Sequence, residues 1–380
     1  MASKEGVMKM KHIFSTYLAG ILVLAAACGG GNSDEQAAPQ PTEDMRTVAI
    51  VDSIGVELGD SNYVLGAVGR LCFGPEGNIY AFDLVRGSVL VYTPRGEFVR
   101  SISRRGEGPG EIVFPLDMTV LNDGSVMITA LGGVHEYSSE GDYIGVYAEY
   151  FTNPPMNLTA VGDSSLLASK LSVEPGEDGN AVVNYWLAVL DEEGQPGVTL
   201  ATDQLPFDPE NLTEMLNRTW MAYSIAADRE GRIYLAPNSS EEFLIEVYED
   251  GELTETINLD VPMVEKTQRE MREEKEWMEL HLSNMGVSGV VVDFQPDPYR
   301  RMITDLGIDG EGRIWARRGT RLEPVFEVFS SDGEHLFTAE IPGVGDAGQF
   351  WSFAIEDQGM AAYSSNPELY QQVYLLELED

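Results

Sequence analysis

Six arginines stand out as the residues best able to do chemistry: Arg70, Arg104, Arg105, Arg218, Arg300 and Arg301. The chain carries 63 acidic residues against 24 basic ones, a formal net charge of −39. Two tryptophans, Trp220 and Trp351, lie close to members of the set or in equivalent segments, with Phe350 beside the second. Arginines gathered with aromatic rings would grip a carboxylate, phosphate or sugar through forked hydrogen bonds and stacking. The competing reading is that each guanidinium pairs with a nearby Asp or Glu, of which there are many. Gly106, Gly108 and Gly110 follow the Arg104–Arg105 pair and could add backbone amides as an anion nest. They lack the strand-to-helix setting that a nucleotide site needs.

Other chemistry is sparse. Beyond His12 the histidines are His135, His281 and His335, and no two have metal-ligand spacing. His135 and His335 fall near hairpin strands where solvent-facing side chains are expected. There is no Gly-x-Ser-x-Gly elbow and no assignable Ser-His-Asp set, so no catalytic residue is named and no metal site is expected. Carboxylates are so numerous that any chosen pair would be arbitrary. Asp123-Gly124 and Asp332-Gly333 resemble calcium loops only superficially and read as hairpin turns. The acidic balance argues against nucleic acid or an anionic membrane surface as a partner, because both repel a chain of the same sign.

The elements that must hold these residues repeat. Phe73–Ala81, Val120–Ile128, Val161–Ala168, Ala227–Leu235, Ile308–Ala316 and Ile355–Ala362 each read as strand, acidic turn, strand, most with Gly in the turn. The first five are followed by a second hairpin, such as Val89–Phe98 and Phe326–Leu336. One unit is therefore four antiparallel strands, A to D, about 47 residues apart between Gly77 and Gly124. The third unit has Ser164 and Ser165 in place of the turn Gly and a hairpin lengthened by Val173–Val183. The sixth has only three strands before the chain ends, and Thr47–Ser53 supplies a fourth. Pairing that segment with Gln372–Leu376 removes an exposed edge and closes a ring. The fold expected is all-β, a six-bladed β-propeller whose last blade is completed by an N-terminal strand.

In such a ring the D-to-A connections share one face. Here they are long: Arg104–Pro115, Val146–Asn157, Ala201–Trp220 and Pro262–Arg300, with Pro342–Trp351 shorter. All six arginines lie in these connections or just before a strand A, which would bring them around one mouth. The insertion 262–300, between blades four and five, predicts a helix capped by Asp260 with Pro262 in its first turn. Its stripe is Val264, Met271, Met278 and Leu282, flanked by Trp277, and it ends at Asn284 and Gly286. It reads either as a lid over the mouth or as packing on blades four and five.

The Asp/Glu-x-Gly-x-Ile-Tyr turn, the Val-x-Val-Tyr-x-x-x-Gly strand pair and Arg104-Arg-Gly-Glu-Gly-Pro-Gly-Glu111 resemble bacterial six-bladed β-propeller lipoproteins, related to NHL-repeat and TolB-like propellers. The resemblance spans Thr47 to Asp380. It implies fold rather than function, since that group holds both enzymes and ligand binders. One implied alternative is a calcium-dependent, gluconolactonase-like hydrolase or lyase, with a cation held by channel carboxylates and an Asn to polarise a carbonyl. Asp305 fits such a site, but the other inner strand ends show Arg, Thr, Met and Leu.

The N-terminus sets the address. Lys9, Lys11 and His12, then the apolar run Ile13–Ala27, read as a signal peptide over residues 1–27. Leu24-Ala-Ala-Ala-Cys28 resembles a lipobox, which implies lipidation of Cys28 and a membrane anchor. Residues 28–46 form a flexible tether and 47–380 the propeller. Gly29 after the cysteine favours the outer membrane in a host that has two. Cys72 is the remaining thiol and reads as a small core residue. The function expected is that of an envelope binding or scaffold protein, a monomer with no cofactor. It would engage a small anionic ligand, glycan, peptide or partner protein at the channel mouth.

Overall fold

The computed structural model describes residues 44–150, 153–176, 180–208, 212–284, 294–366 and 369–379. Among them the chain alternates short strands and tight turns. Blade 1 is β2 (Val68–Phe73), β3 (Ile79–Asp83), β4 (Ser88–Tyr92) and β5 (Phe98–Ile102). Blade 2 is β6 (Asp117–Val120), β7 (Val126–Ala130), β8 (Gly132–Tyr137) and β9 (Tyr143–Tyr150). Blade 3 is β10 (Asn157–Val161), β11 (Ser165–Pro175), β12 (Ala181–Leu190) and β13 (Pro196–Pro206). Blade 4 is β14 (Tyr223–Ala227), β15 (Ile233–Pro237), β16 (Phe243–Glu249) and β17 (Glu252–Leu259). Blade 5 is β18 (Ile303–Ile308), β19 (Ile314–Arg318), β20 (Val325–Phe329) and β21 (His335–Glu340). Blade 6 is β22 (Trp351–Glu356), β23 (Gly359–Ser364), β24 (Val373–Leu378) and, as its outer strand, β1 (Met45–Ile54). The protein is a six-bladed β-propeller.

The closing strand takes the expected place. Residues Val48 to Ile54 of β1 pair antiparallel with Leu378 to Val373 of β24. The pairing begins earlier than the tether boundary at residue 46 implied. Met45–Thr47 run parallel to Thr338–Glu340 of β21, so β1 also ties blade 6 to blade 5. Arg46 belongs to this clasp, with its guanidinium 4.0 Å from the centre of the Phe337 ring. The proposed signal peptide, Cys28 and the tether up to residue 43 lie outside the described residues.

Burial follows position in the ring. β3, β4, β7 and β20 are buried at every residue, because they sit between two neighbouring blades. Outer strands alternate, as in β5 and β9, because their far edge meets water. Six separate apolar cores fill the six blade–blade interfaces. A seventh lies under the helices, on blade 3. The innermost strands β2, β6, β10, β14, β18 and β22 touch in that order, and the last touches the first.

The repeated turn explains itself in atoms. Asp228 Oδ1 accepts the amide of Arg232, and its Oδ2 accepts Arg232 Nε at 2.7 Å and the Tyr234 hydroxyl at 3.0 Å. Asp309 does the same with Arg313 and with Trp315 Nε1 at 2.7 Å. The acid at the start of the turn thus fastens the aromatic ring of strand B. In blade 3, Gly162 takes the left-handed conformation, φ 58°, and so does the work that the absent turn Gly does elsewhere. The long hairpin of that blade is regular pairing, from Leu167↔Val189 out to Pro175↔Ala181.

Candidate functional site

Polar residues on the innermost strands have one place to point. Both faces of a blade need apolar side chains, so a charge on strand A is accommodated at the ring's axis. Val-Gly-Arg70-Leu-Cys-Phe, Ile-Thr304-Asp305-Leu-Gly-Ile and Trp-Ser-Phe-Ala-Ile-Glu356 each place at least one there. Together the six strands surround a channel of about 330 Å³. Hydroxyl and amide groups of Thr119, Asn122, Asn157, Thr159, Ser224 and Thr304 line it, with Trp220 and Phe353 supplying aromatic wall.

Two of the expected arginines reach this channel. Arg70 lies 4.0 Å from Asp117 and donates to the Leu158 carbonyl at 3.5 Å. Arg301 also lines the channel, yet it makes no hydrogen bond or ion pair with any described residue. Burial lowers its pKa, and Glu274 and Asp297 act against that. Glu274 is itself held by Lys266 at 2.6 Å. Trp220 joins the channel wall as well.

The other expected residues lie elsewhere. Arg104 is largely exposed and binds Glu111, 2.7 Å from Nε to Oε1. Arg105 is exposed and donates to the Val85 carbonyl. The glycine nest in this loop is filled by the chain's own carboxylate: Glu111 Oε2 accepts the Gly108 amide at 3.0 Å. A Cβ on Gly106 would stand 1.9 Å from that same oxygen, so the residue must be glycine for Glu111 to fold back. Arg218 forms a fork onto Asp203, both contacts 2.8 Å. Arg300 is paired with Glu270 at 2.6 Å and donates to the Thr320 carbonyl. Trp351 is 7 % exposed and stacks on Tyr374 with ring centres 4.4 Å apart. The single ring of arginines thus divides, because in so acidic a chain most find a local carboxylate first.

Four acids line the channel, Asp228, Asp305, Glu356 and Asp357, where Asp305 alone was expected, and Asp117 stands beside Arg70. Asp117 accepts the Leu158 amide at 2.8 Å, and burial pushes its carboxyl up against the pull of Arg70. Burial likewise drives Asp305 up to about 6, opposed by Arg317 and Arg70. Glu356 accepts the Phe73 amide at 2.9 Å, and burial raises it to about 7 against that bond and Arg70. Near neutral pH the channel therefore holds fixed guanidinium charge beside Glu356 and Asp305 carboxyls that are partly protonated. Arg317 braces the wall: it reaches Asp305 at 3.4 Å and donates to the carbonyls of Trp351 at 2.6 Å and Gly348 at 2.5 Å. Among the described residues no three His, Cys, Asp or Glu side chains are grouped so as to hold a metal ion. His335 is not solvent-facing: it is buried, with Nε2 2.7 Å from Glu327.

The insertion is built differently from expectation, and none of its described residues lines the channel. Its helix α2 (Gln268–Asn284) begins at Thr267, not Asp260, and the segment before it is extended, with Glu265 bridged to Tyr299. Thr267 and Glu270 form a reciprocal capping box, with the Thr267 amide donating to Glu270 Oε2 at 2.9 Å. The signal was legible as Thr267-Gln-Arg-Glu270. Met278 and Trp277 pack with Val183 and Leu205 of blade 3 and with Met215 and Leu216 of α1 (Leu212–Arg218), so the helix leans on blade 3 rather than on blades four and five alone. Near its start, Glu273 accepts from Gln349 at 3.0 Å, in the turn that leads into blade 6. Leu282 and Gly286 fall outside what is described at side-chain level.

Comparison with known proteins agrees on the fold. The model of the DUF5128 family, described as a 6-bladed beta-propeller, matches residues 54–148. No curated protein matches the chain. A member of the duf4221 family from Bacteroides vulgatus superposes with a TM-score of 0.50 at 11% identity, over 88% of this chain and 98% of that one. Regucalcin, a calcium-binding protein from Agrobacterium tumefaciens, gives 0.42 at 12% identity, covering 87% and 95% of the two chains. Virginiamycin B lyase from Staphylococcus aureus gives 0.44 at 10%, covering 86% and 99%. At these identities the likeness concerns the fold alone.

Proposed function

We propose that this chain is a lipid-anchored envelope protein whose propeller channel binds a small anionic, hydroxyl-rich molecule such as a sugar acid. The observation that carries the reading is Arg301, a guanidinium on the channel wall with no ion pair among the described residues. The other arginines lining the channel, Arg70 and Arg229, face Asp117 and Asp357, and a ligand carboxylate is the partner Arg301 lacks. Hydroxyl and amide side chains on the same wall suit sugar hydroxyls, and Trp220 offers a ring face to stack on. The anchor rests on the Leu24–Cys28 lipobox, with β1 entering the ring between blades 5 and 6.

A thermal-shift screen of the purified full chain against sugar acids, organic acids and short peptides tests the binding reading, each paired with its neutral alcohol or amide. Acids should raise the melting temperature of wild type and not of Arg301→Gln. An equal response in both proteins, or none to any acid, overturns it. Cys28→Ser should move the protein from the membrane to the soluble fraction. If it does not, the anchor is wrong and the channel reading stands or falls separately.

A further inference from the structure

A second cavity, of about 400 Å³, lies away from the channel between the start of the helical insertion and the turn after β19. Arg300, Arg318, Arg321 and Thr320 line it, with Glu323. Three arginines around one cavity are unexpected in a chain with so few cations. Two of them are held by buried acids beyond the cavity: Arg300 by Glu270, and Arg318 by Glu327 at 3.0 Å. Arg321 is exposed and has no ion pair among the described residues. Two donors in the same wall are also unused. Thr320 is 2 % exposed, and its hydroxyl has no hydrogen-bond partner; Arg318 Nε is buried and likewise unpaired. Unmet buried donors of this kind each cost about 1–3 kcal/mol and keep the local potential positive.

We infer that this cavity is a second binding site, for a small molecule bearing an oxyanion such as a phosphate or sulfate group. The exposed Arg321 guanidinium supplies donors to the anion, with the paired Arg318 and Arg300 adding positive charge to the wall, and Arg300 holds that wall through its bond to the Thr320 carbonyl. Pro262, Val264 and Leu322 give the remaining wall an apolar surface. The cavity exceeds a bare anion, so the oxyanion is read as the head of a larger body, such as a sugar ring packed on that surface. The inference does not rest on the channel: no residue lines both cavities.

The test is titration of the full chain with inorganic phosphate, inorganic sulfate, glucose 6-phosphate and glucose, followed by melting temperature. Sodium chloride of matched ionic strength is the reference, because any salt screens the repulsion within so acidic a chain. Wild type should show a saturable rise with phosphate or sulfate above chloride, tighter with the sugar phosphate, and none with glucose. Arg321→Gln should weaken the apparent affinity about tenfold or more, since a bond to a charged group contributes about 1.5–3 kcal/mol. Thr320→Val, close to isosteric and changed at an atom closed off from the cavity, should keep both the fold and the affinity. A response no larger than that to chloride, or unchanged affinity in Arg321→Gln, overturns the inference.

Discussion

Replacing Glu356 by Gln should stabilise the protein, and only above mildly acidic pH. The carboxyl sits on the channel wall at the end of β22, where its Oε2 accepts the Phe73 amide at 2.9 Å. Burial raises its pKa from 4.5 to about 7, although Phe73 and Arg70 favour the charged form. A carboxyl whose folded pKa is raised binds more protons in the folded state than in the unfolded one. Its stability contribution is therefore complete below about pH 4.5 and is lost as pH rises through about 7. The difference corresponds to about 3 kcal/mol. Glutamine keeps the acceptor for Phe73 and removes the charge. At pH 8 the variant should exceed wild type by about 2–3 kcal/mol, a rise in melting temperature of about 3–4 °C for a chain this size. At pH 4 the two should melt together. Thermal denaturation at half-unit steps between pH 4 and 8 measures this. A difference that does not change with pH, or a variant less stable at pH 8, would refute the argument that burial dominates at Glu356.

Other expectations follow from the same geometry. Thr267→Ala removes half of the capping box and should cost about 1 kcal/mol by thermal or urea unfolding. It should also raise the pKa of Glu270, which hydrogen bonds from Arg300 and Thr267 hold at about 2 even though burial acts the other way. Arg317→Met leaves two carbonyls without a donor and Asp305 without its partner, so unfolding should lose about 3–5 kcal/mol, and Asp305 should titrate above its present value of about 6. Gly133→Ala places a Cβ 2.0 Å from the Ala148 carbonyl oxygen at a φ of 146°, and should destabilise blade 2 by about 1–3 kcal/mol or more. Affinity of the channel for a strong acid should rise as pH falls from 8 to 6, because Glu356 and then Asp305 lose charge while the arginines keep theirs.

The blades were legible because their information is local. An acidic turn with Gly marks most A–B hairpins within nine residues, followed by Ile-Tyr or Ile-Trp in blades 1, 4 and 5, and Asp228 and Asp309 are seen to hold two of those rings. Closure was legible because an incomplete last unit and a spare first strand have one economical pairing. The site was less so. Nothing local separates Arg301, which lines the channel, from Arg300, which turns to Glu270; the choice depends on how the chain leaves the insertion just before β18. Glu356 and Asp117 were hidden by the abundance of acids, although each stands at one end of a short inner strand. The start of α2 was misplaced because Asp260-x-Pro262 is a valid helix opening, and the stronger Thr267–Glu270 box lay one turn and more beyond it.

The account turns on Arg301 meeting an anion inside the ring. Calorimetric titration of the full chain with the acid that most raises its melting temperature, beside the matching neutral amide, tests this most directly. The account predicts one site per chain, at least about tenfold weaker for the amide and for Arg301→Gln. Equal affinity for acid and amide, or an Arg301→Gln protein that binds like wild type, would contradict it.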